Sequence, residues 1–391
     1  MKLDSLKPLL DHEGALTTVC IDVTKPDEVG DREIRNRWGA LKRSLEHQQA
    51  PPESVAAIAE VVLRPTHVPG PHGRFVVASG TEILFDRVLA DAPAREEAFH
   101  AGVPSLMPAA QAIDEAVRYL LVETDRNGAD LTWSGIDIPD EQVVGGHDVM
   151  HKVHAGGWSH RRMQTRVEDS WERNAEAVAD ELDKLVAAHH PEVVLITGDV
   201  RAVSMIRDAV GKHCAEVLVE VPGGSRADGV KADVFAGRLH EAMEAFRARR
   251  RDVVLDRLRE ALGRGDGGVT ALADVVEVLR RGQVAELVIL ENAAGVPAPL
   301  GERRLWVGSD PLAIGIRRSE IESLGQEPTQ VRADVALLRA AVAQDAGVTF
   351  VEEGSVALMD GLGALLRWTD PATPHEAAPS YGADHGRRRA P

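Results

Sequence analysis

The sequence predicts an α/β protein, α+β in detail, built as three consecutive small domains. Three observations carry that reading. A strand–turn–strand hairpin at 119–133 precedes a β-α-β unit at 193–221, strand-rich runs open and close the chain, and helical apolar stripes lie between them. The 391 residues, 44% hydrophobic, supply enough apolar material for two to four domains of roughly 100–200 residues each.

From the start of the chain, residues 15–23 form a β-rich run. A helix is expected from Asp31 to about His47, with Ile34, Trp38, Leu41 and Leu45 on one face. Its flank and back carry Arg32, Arg35, Lys42 and Arg43, which fit ordinary solvated helix charge as well as a binding face. Pro51-Pro52 ends this unit and a short helix follows from Glu53. Residues 65–73 form a loop before strands 74–79 and 81–87, joined at Gly80. An alanine-rich helix then starts at 104–108 and leads to a second domain from residue 117.

That domain opens with strands 119–124 and 129–133. Their connection, Asp125-Arg126-Asn127-Gly128, contains the Asn-Gly pair favoured in type I′ turns. A loop rich in glycine, histidine and arginine leads to a helix with Val167, Trp171, Val178, Leu182 and Leu185 on one face. Strand 193–197, helix 203–210 and strand 216–221 complete the unit. A long helix over 230–262, a glycine-rich break at 263–268 and a helix with Leu272, Val275, Val276 and Leu279 begin the last domain. Strands 286–290 and 304–308, a stripe of Val331, Val335, Leu338 and Val342, and strands 348–352 and 363–368 complete it. The expected division is 1–116, 117–229 and 230–370, with 371–391 too polar to pack and disordered.

The charge balance excludes a uniformly basic nucleic-acid binder. With 62 acidic and 45 basic residues the net charge is -17, so any such contact must be local. Cys20 and Cys214, in apolar surroundings, are expected to be buried reduced thiols. The first eight residues carry charge and a proline where a signal peptide needs an apolar run, and no stretch approaches the ~18 apolar residues of a membrane span. A cytoplasmic location is expected.

The segment 147–166 breaks the acidic pattern, with four lysine or arginine residues, four histidines and one aspartate. Gly156 and Gly157 allow close backbone approach, and Trp158 beside them would be costly to leave in water without a partner. Such a loop suits RNA, with the indole stacking on an unpaired base and Arg161, Arg162 and Arg166 meeting phosphates, although a surface loop with a tucked tryptophan also fits. His147, His151 and His154 have the i, i+4, i+7 spacing of a zinc face, but the flanking glycine pairs oppose a long helix there and no fourth ligand is placed. No metal or other cofactor is expected. Phosphate-binding-loop, nucleophile-elbow and dinucleotide-fold signatures are missing, which disfavours an NTPase, an α/β-hydrolase and a dinucleotide oxidoreductase.

The hairpin, then Gly156-Gly157-Trp158-Ser159 with Arg162 and Arg166, then a long helix resembles the central domain of archaeal and eukaryotic class-I release factors. The ending Gly361-Leu362-Gly363-Ala364-Leu365-Leu366-Arg367-Trp368 is similar to the closing strand of that family's third domain. The resemblance covers about 117–370 and extends to the bacterial members, of the Rv2629 type and the Balon-like ribosome hibernation factors, kin to Pelota. The departures are as informative. Those release factors carry Gly-Gly-Gln, whose glutamine helps to place the hydrolytic water, whereas this chain has Trp158, whose indole offers one donor and no acceptor. Nothing resembles the family's stop-codon-reading motif in the first third.

The resemblance therefore implies a non-catalytic factor that occupies the ribosomal A site in hibernation or stalling. Gly156, Gly157, Trp158, Ser159, His160, Arg161, Arg162 and Arg166 would face rRNA near the peptidyl-transferase centre, with Arg32, Arg35, Lys42 and Arg43 as further rRNA contacts. It also implies elongation factor Tu with GDP as a partner, and a monomer. Two alternatives stay open: an enzyme whose loop hydrolyses peptidyl-tRNA or cleaves RNA, and an adaptor that binds only a translational GTPase or ribosomal proteins.

Overall fold

The computed structural model describes residues 3–12, 14–24, 30–66, 72–89, 92–93, 95–134, 141–144, 158–224, 232–291, 300, 303–352 and 354–374. The first segment contains β1 (Leu16–Asp22), α1 (Gly30–His47), α2 (Pro52–Val62), β2 (Gly73–Ser79), β3 (Glu82–Leu89), β4 (Glu97–Ala101) and α3 (Met107–Glu115). Its strands form an antiparallel sheet in the order β3-β2-β1-β4. The strand β4, short and broken by charge, has no counterpart in the sequence reading.

The central segment contains β5 (Tyr119–Asp125), β6 (Gly128–Trp133), β7 (Glu141–Val144), α4 (Trp158–His189), β8 (Val193–Gly198), α5 (Val200–Ala209), α6 (Lys212–Val217), β9 (Leu218–Glu220) and α7 (Ala232–Arg264). Its sheet has the order β7-β6-β5-β8-β9, with β5, β8 and β9 parallel. One face meets α4, α5 and α6 through Leu120, Val122, Leu131, Val178, Leu182 and Ile206. The other packs Val193, Leu195 and Val221 against Met243, Leu239 and Phe235 of α7. Both faces are covered, so β8 is an unbroken apolar run rather than an alternating one.

The last segment contains β10 (Gly268–Thr270), α8 (Leu272–Arg280), β11 (Val284–Glu291), β12 (Arg304–Val307), β13 (Ile314–Gly315), α9 (Arg318–Glu322), β14 (Thr329–Arg332), α10 (Ala333–Ala343), β15 (Gly347–Glu352) and β16 (Leu362–Leu366). Two sheets result, β10-β16-β11-β15 and β13-β12-β14. The stripe expected from Val331 begins two residues later, because Thr329–Arg332 pairs with β12 before the helix starts. The closing strand stops at Leu366, leaving Arg367 and Trp368 exposed.

By compactness the chain divides into two units, Val117–Arg249 and a second formed by Met1–Ala116 with Arg250–Pro391. The second unit has a shared core. Along β1 and β2, Val19, Ile21, Val76 and Ala78 face α1 and α2. The alternate residues Leu16, Cys20, Phe75 and Val77 join one apolar cluster with Val276, Leu287, Leu337, Val348 and Phe350 of the last segment. Polar ties cross the same seam. The buried Asp114 carboxylate accepts the Phe350 N–H at 3.2 Å, with Arg250 3.7 Å away. Arg332 pairs with Asp334 and reaches Glu97 at 3.5 Å. Burial pushes the Asp114 carboxyl above the ordinary carboxylate range, opposed by the Phe350 N–H and Arg250.

The disorder expected from residue 371 does not begin there. Thr373 is buried, and its hydroxyl accepts from Gln283 Nε2 at 2.8 Å and from the Asp370 N–H at 2.9 Å, so the packed chain extends to Thr373. Residues 375–391 lie outside the described residues.

Asp114→Ala is expected to cost about 1–3 kcal/mol, because it strips a buried N–H of its acceptor. The urea midpoint should fall and the Phe350 amide should exchange faster; an unchanged midpoint and exchange rate would show that the seam does not depend on this carboxylate.

Candidate nucleic-acid interface

The predicted loop residues Trp158, Ser159, His160, Arg161, Arg162 and Arg166 are not in a loop. They form the first turns of α4, which runs unbroken to His189. The local sequence explains the difference: after Gly157 no glycine or proline interrupts the run, and arginine, methionine and glutamine are strong helix formers. Gly156, Gly157 and the histidines at 147, 151 and 154 lie outside the described residues.

The start of α4 is electrostatically unusual. No acidic residue occupies its first turn, and three arginines precede its first carboxylate, Glu168. A helix N-terminus carries partial positive charge and normally attracts acidic side chains. Concentrating arginine there costs helix stability unless an anion is supplied, and backbone N–H groups at a helix start suit phosphate.

More than three turns further on, α4 carries a feature that the sequence does not signal. Trp171 holds the Arg126 guanidinium 4.3 Å from its ring centroid and that of Arg201 at 5.4 Å. Arg126 comes from the β5–β6 turn. In that turn the Asp125 carboxylate accepts the N–H groups of Asn127 (2.7 Å) and Gly128 (3.1 Å). Neither Arg126 nor Asn127 takes a positive φ, so the turn is closed by an aspartate side chain and is not the expected type I′.

Arg201 is fixed by the start of α5. Asp199 caps that helix, its Oδ1 accepting from the N–H groups of Arg201 (3.0 Å) and Ala202 (3.1 Å) while Oδ2 accepts from Arg126 at 3.2 Å. Partial burial would raise the Asp199 carboxyl, but the Ala202 N–H and Arg126 outweigh it and hold the group below the usual carboxylate range. Gly198 makes this approach possible. Its φ is +135°, and a Cβ there would lie 1.8 Å from the Thr124 carbonyl oxygen.

Beneath the ring, Asn174 is buried and donates from Nδ2 to the Arg126 carbonyl at 3.0 Å, while its Oδ1 has no partner among the described residues. A cavity of about 10 Å³, of a size for about one water molecule, lies between Asn174, Trp171 and Ala202. The only sequence signals for this cluster were Trp171 on an otherwise aliphatic stripe and an arginine in a tight turn. Neither indicates that the parallel β5–β8 pairing brings them together.

The α1 cations Arg32, Arg35, Lys42 and Arg43 are all exposed, opposite the buried Ile34, Trp38, Leu41 and Leu45. They belong to the unit that does not contain α4. Cys20 and Cys214 are buried free thiols, their pKa values raised by burial to about 12 and about 11, which leaves neither reactive.

Residues 118–264, which span the hairpin, α4 and all of α7, match bacterial archaeo-eukaryotic release factor family 2. This segment is release-factor-like. Across nearly the whole chain, the uncharacterized protein Rv2629 of Mycobacterium tuberculosis is 27% identical over 378 residues, covering 94% of this chain and 97% of the relative. Among solved structures, the archaeal translation termination factor aRF1 is similar at 13% identity, covering 93% of this chain and 96% of its own, with a TM-score of 0.23. Dom34 of S. cerevisiae, a translation termination-like factor, is similar at 9% identity over 78% and 82% of the two chains, with a TM-score of 0.38. No described helix is long and apolar enough to cross a membrane.

Asp199→Ala is expected to lower the stability of the central unit by about 1–2 kcal/mol through loss of the α5 cap. Because the folded carboxyl lies below its unfolded value of about 3.9, its contribution is complete above pH ~4 and is lost as pH falls through the depressed folded value. Urea midpoints of parent and variant should differ at pH 6 and converge below pH 4; a constant difference would contradict the assignment.

Proposed function

We propose that this protein binds idle or stalled ribosomes in the A site and performs no chemistry there. The observation that carries the reading is the match of residues 118–264 to a release factor family, together with the sequence resemblance that sets Trp158 at the glutamine position of Gly-Gly-Gln. An indole N–H donates one hydrogen bond and accepts none, so it does not replace a side-chain amide in orienting water. The arginine-rich start of α4 supports an anionic partner, and rRNA phosphates near the peptidyl-transferase centre are the partner that the family resemblance implies. On the same resemblance the first segment meets the decoding centre and the last meets the stalk base. Elongation factor Tu with GDP is the delivering partner in this reading, and the acidic remainder of the chain suits a protein–protein flank.

Co-sedimentation with vacant ribosomes tests the placement. Binding is expected to be lost when the A site is filled with tRNA, and to weaken with salt by roughly 0.7–0.9 log units of affinity per log unit of salt for each phosphate met. Undiminished binding to A-site-filled ribosomes would contradict it. Stop-codon-dependent release of labelled peptide should stay at background.

Trp158→Ala is expected to weaken ribosome binding five- to a hundredfold with an unchanged melting temperature, as loss of one base stack of about 1–3 kcal/mol requires. A variant that melts several degrees early yet binds normally would show that the indole serves the fold instead.

A further inference from the structure

The four outer cations of α1 surround a glycine. Residues three, four and seven apart share a helix face, so Gly39 is bracketed by Arg32 and Arg35 before it and by Lys42 and Arg43 after it. All four are exposed. Lys42 lies 3.8 Å from Glu46, and among the described residues Arg32, Arg35 and Arg43 have no carboxylate partner.

Nothing inside the fold requires a glycine at this position. Its φ is not positive, and a Cβ built there meets only the tip of Arg43, at 3.9 Å. Glycine within a helix nevertheless costs about 1 kcal/mol relative to alanine. A residue that weakens its own helix and leaves open space at the centre of a cationic face suits a ligand that approaches the backbone closely.

The chemistry of the face selects the ligand. Among the described residues α1 exposes no large hydrophobic side chain, so a protein partner would find charge there without an apolar anchor. Three of the four cations are arginines, whose planar fork matches phosphate oxygens. Arg32 to Arg43 spans about 16 Å of helix axis, a length over which one nucleic-acid strand presents about five phosphates. With a net charge of -17 the chain meets phosphate only at local basic faces, and this is one of them.

We propose that the outer face of α1 is a binding site for an RNA phosphodiester backbone, and that Gly39 is the gap into which the strand settles. The proposal deepens the ribosome-binding reading, on which it rests for the identity of the RNA met in the cell.

The test uses the full-length protein, a labelled 16-base-pair RNA duplex of mixed sequence, and fluorescence anisotropy at several salt concentrations. Gly39→Ala should raise the melting temperature by a few degrees while weakening RNA binding about threefold. Gly39→Met, with a side chain that fills the gap and favours helix, should weaken binding at least tenfold without lowering the melting temperature. Arg35→Gln combined with Arg43→Gln should reduce the slope of log affinity against log salt by about 1.5, two phosphate contacts' worth.

No binding by the parent protein, or Gly39→Met binding as tightly as the parent, overturns the proposal. So does displacement of the RNA by poly-glutamate at equal charge concentration, which would make an acidic protein the occupant. Co-sedimentation with vacant ribosomes, run on the same preparations, separates the two claims. A Gly39-sensitive RNA complex in a protein that ignores ribosomes supports this site and removes the A-site reading, whereas ribosome binding beside Gly39-insensitive RNA binding does the reverse.

Discussion

The docking of the second half of α4 on the five-stranded sheet is the interaction on which the rest of the central unit depends. Ala175, Val178, Leu182 and Leu185 are buried against strands β5, β6 and β8, and that contact anchors a helix of 32 residues. An isolated helix start with arginines and no early carboxylate would be marginal in water. Here it is the continuation of a helix already stabilised by apolar burial. The favourable packing at one end therefore sustains an unfavourable charge arrangement at the other.

Parallel pairing adds a second constraint. Because β5 and β8 run side by side with Thr124 opposite Gly198, the β5–β6 turn and the start of α5 end at the same level. Arg126, Asp199 and Arg201 then converge on Trp171, and the close approach at Gly198 admits no side chain. The cluster ties three elements together through one aromatic ring and one carboxylate. In the other unit the sheet of β1 and β2 is covered on both faces, by α1 and α2 on one side and by the last segment on the other. That double coverage accounts for the nearly continuous burial along both strands.

Much of this was legible in the sequence, for reasons that differ by element. The α1 stripe of Ile34, Trp38, Leu41 and Leu45 is a strong periodic signal and the apolar runs of β5 and β8 are conspicuous by composition, and all were placed within a few residues. The strands β4, β7, β10, β13 and β14 were missed because two to five residues carry too little pattern, and for β4 and β10 the partner also lies far away in the chain. The β5–β6 turn was assigned from its Asn-Gly pair, but the Asp125 carboxylate closes it without a positive φ at either central residue, Arg126 or Asn127. The helical start at Trp158 was obscured by the glycines before it. The common core of the first and last segments could not be read from periodicity, which reports which face is apolar but not what covers it. The Arg126–Trp171–Arg201 cluster is likewise a product of topology.

In the proposed function, a chain with a release-factor-like central segment and Trp158 in place of the glutamine occupies the A site as a binder. A cryo-EM map of the protein mixed with vacant ribosomes from its own host tests this most directly. Density for the chain is expected in the A site, with the Trp158 end of α4 against rRNA at the peptidyl-transferase centre. Density confined to another ribosomal site, or ribosomes with an empty A site at saturating protein, would contradict it.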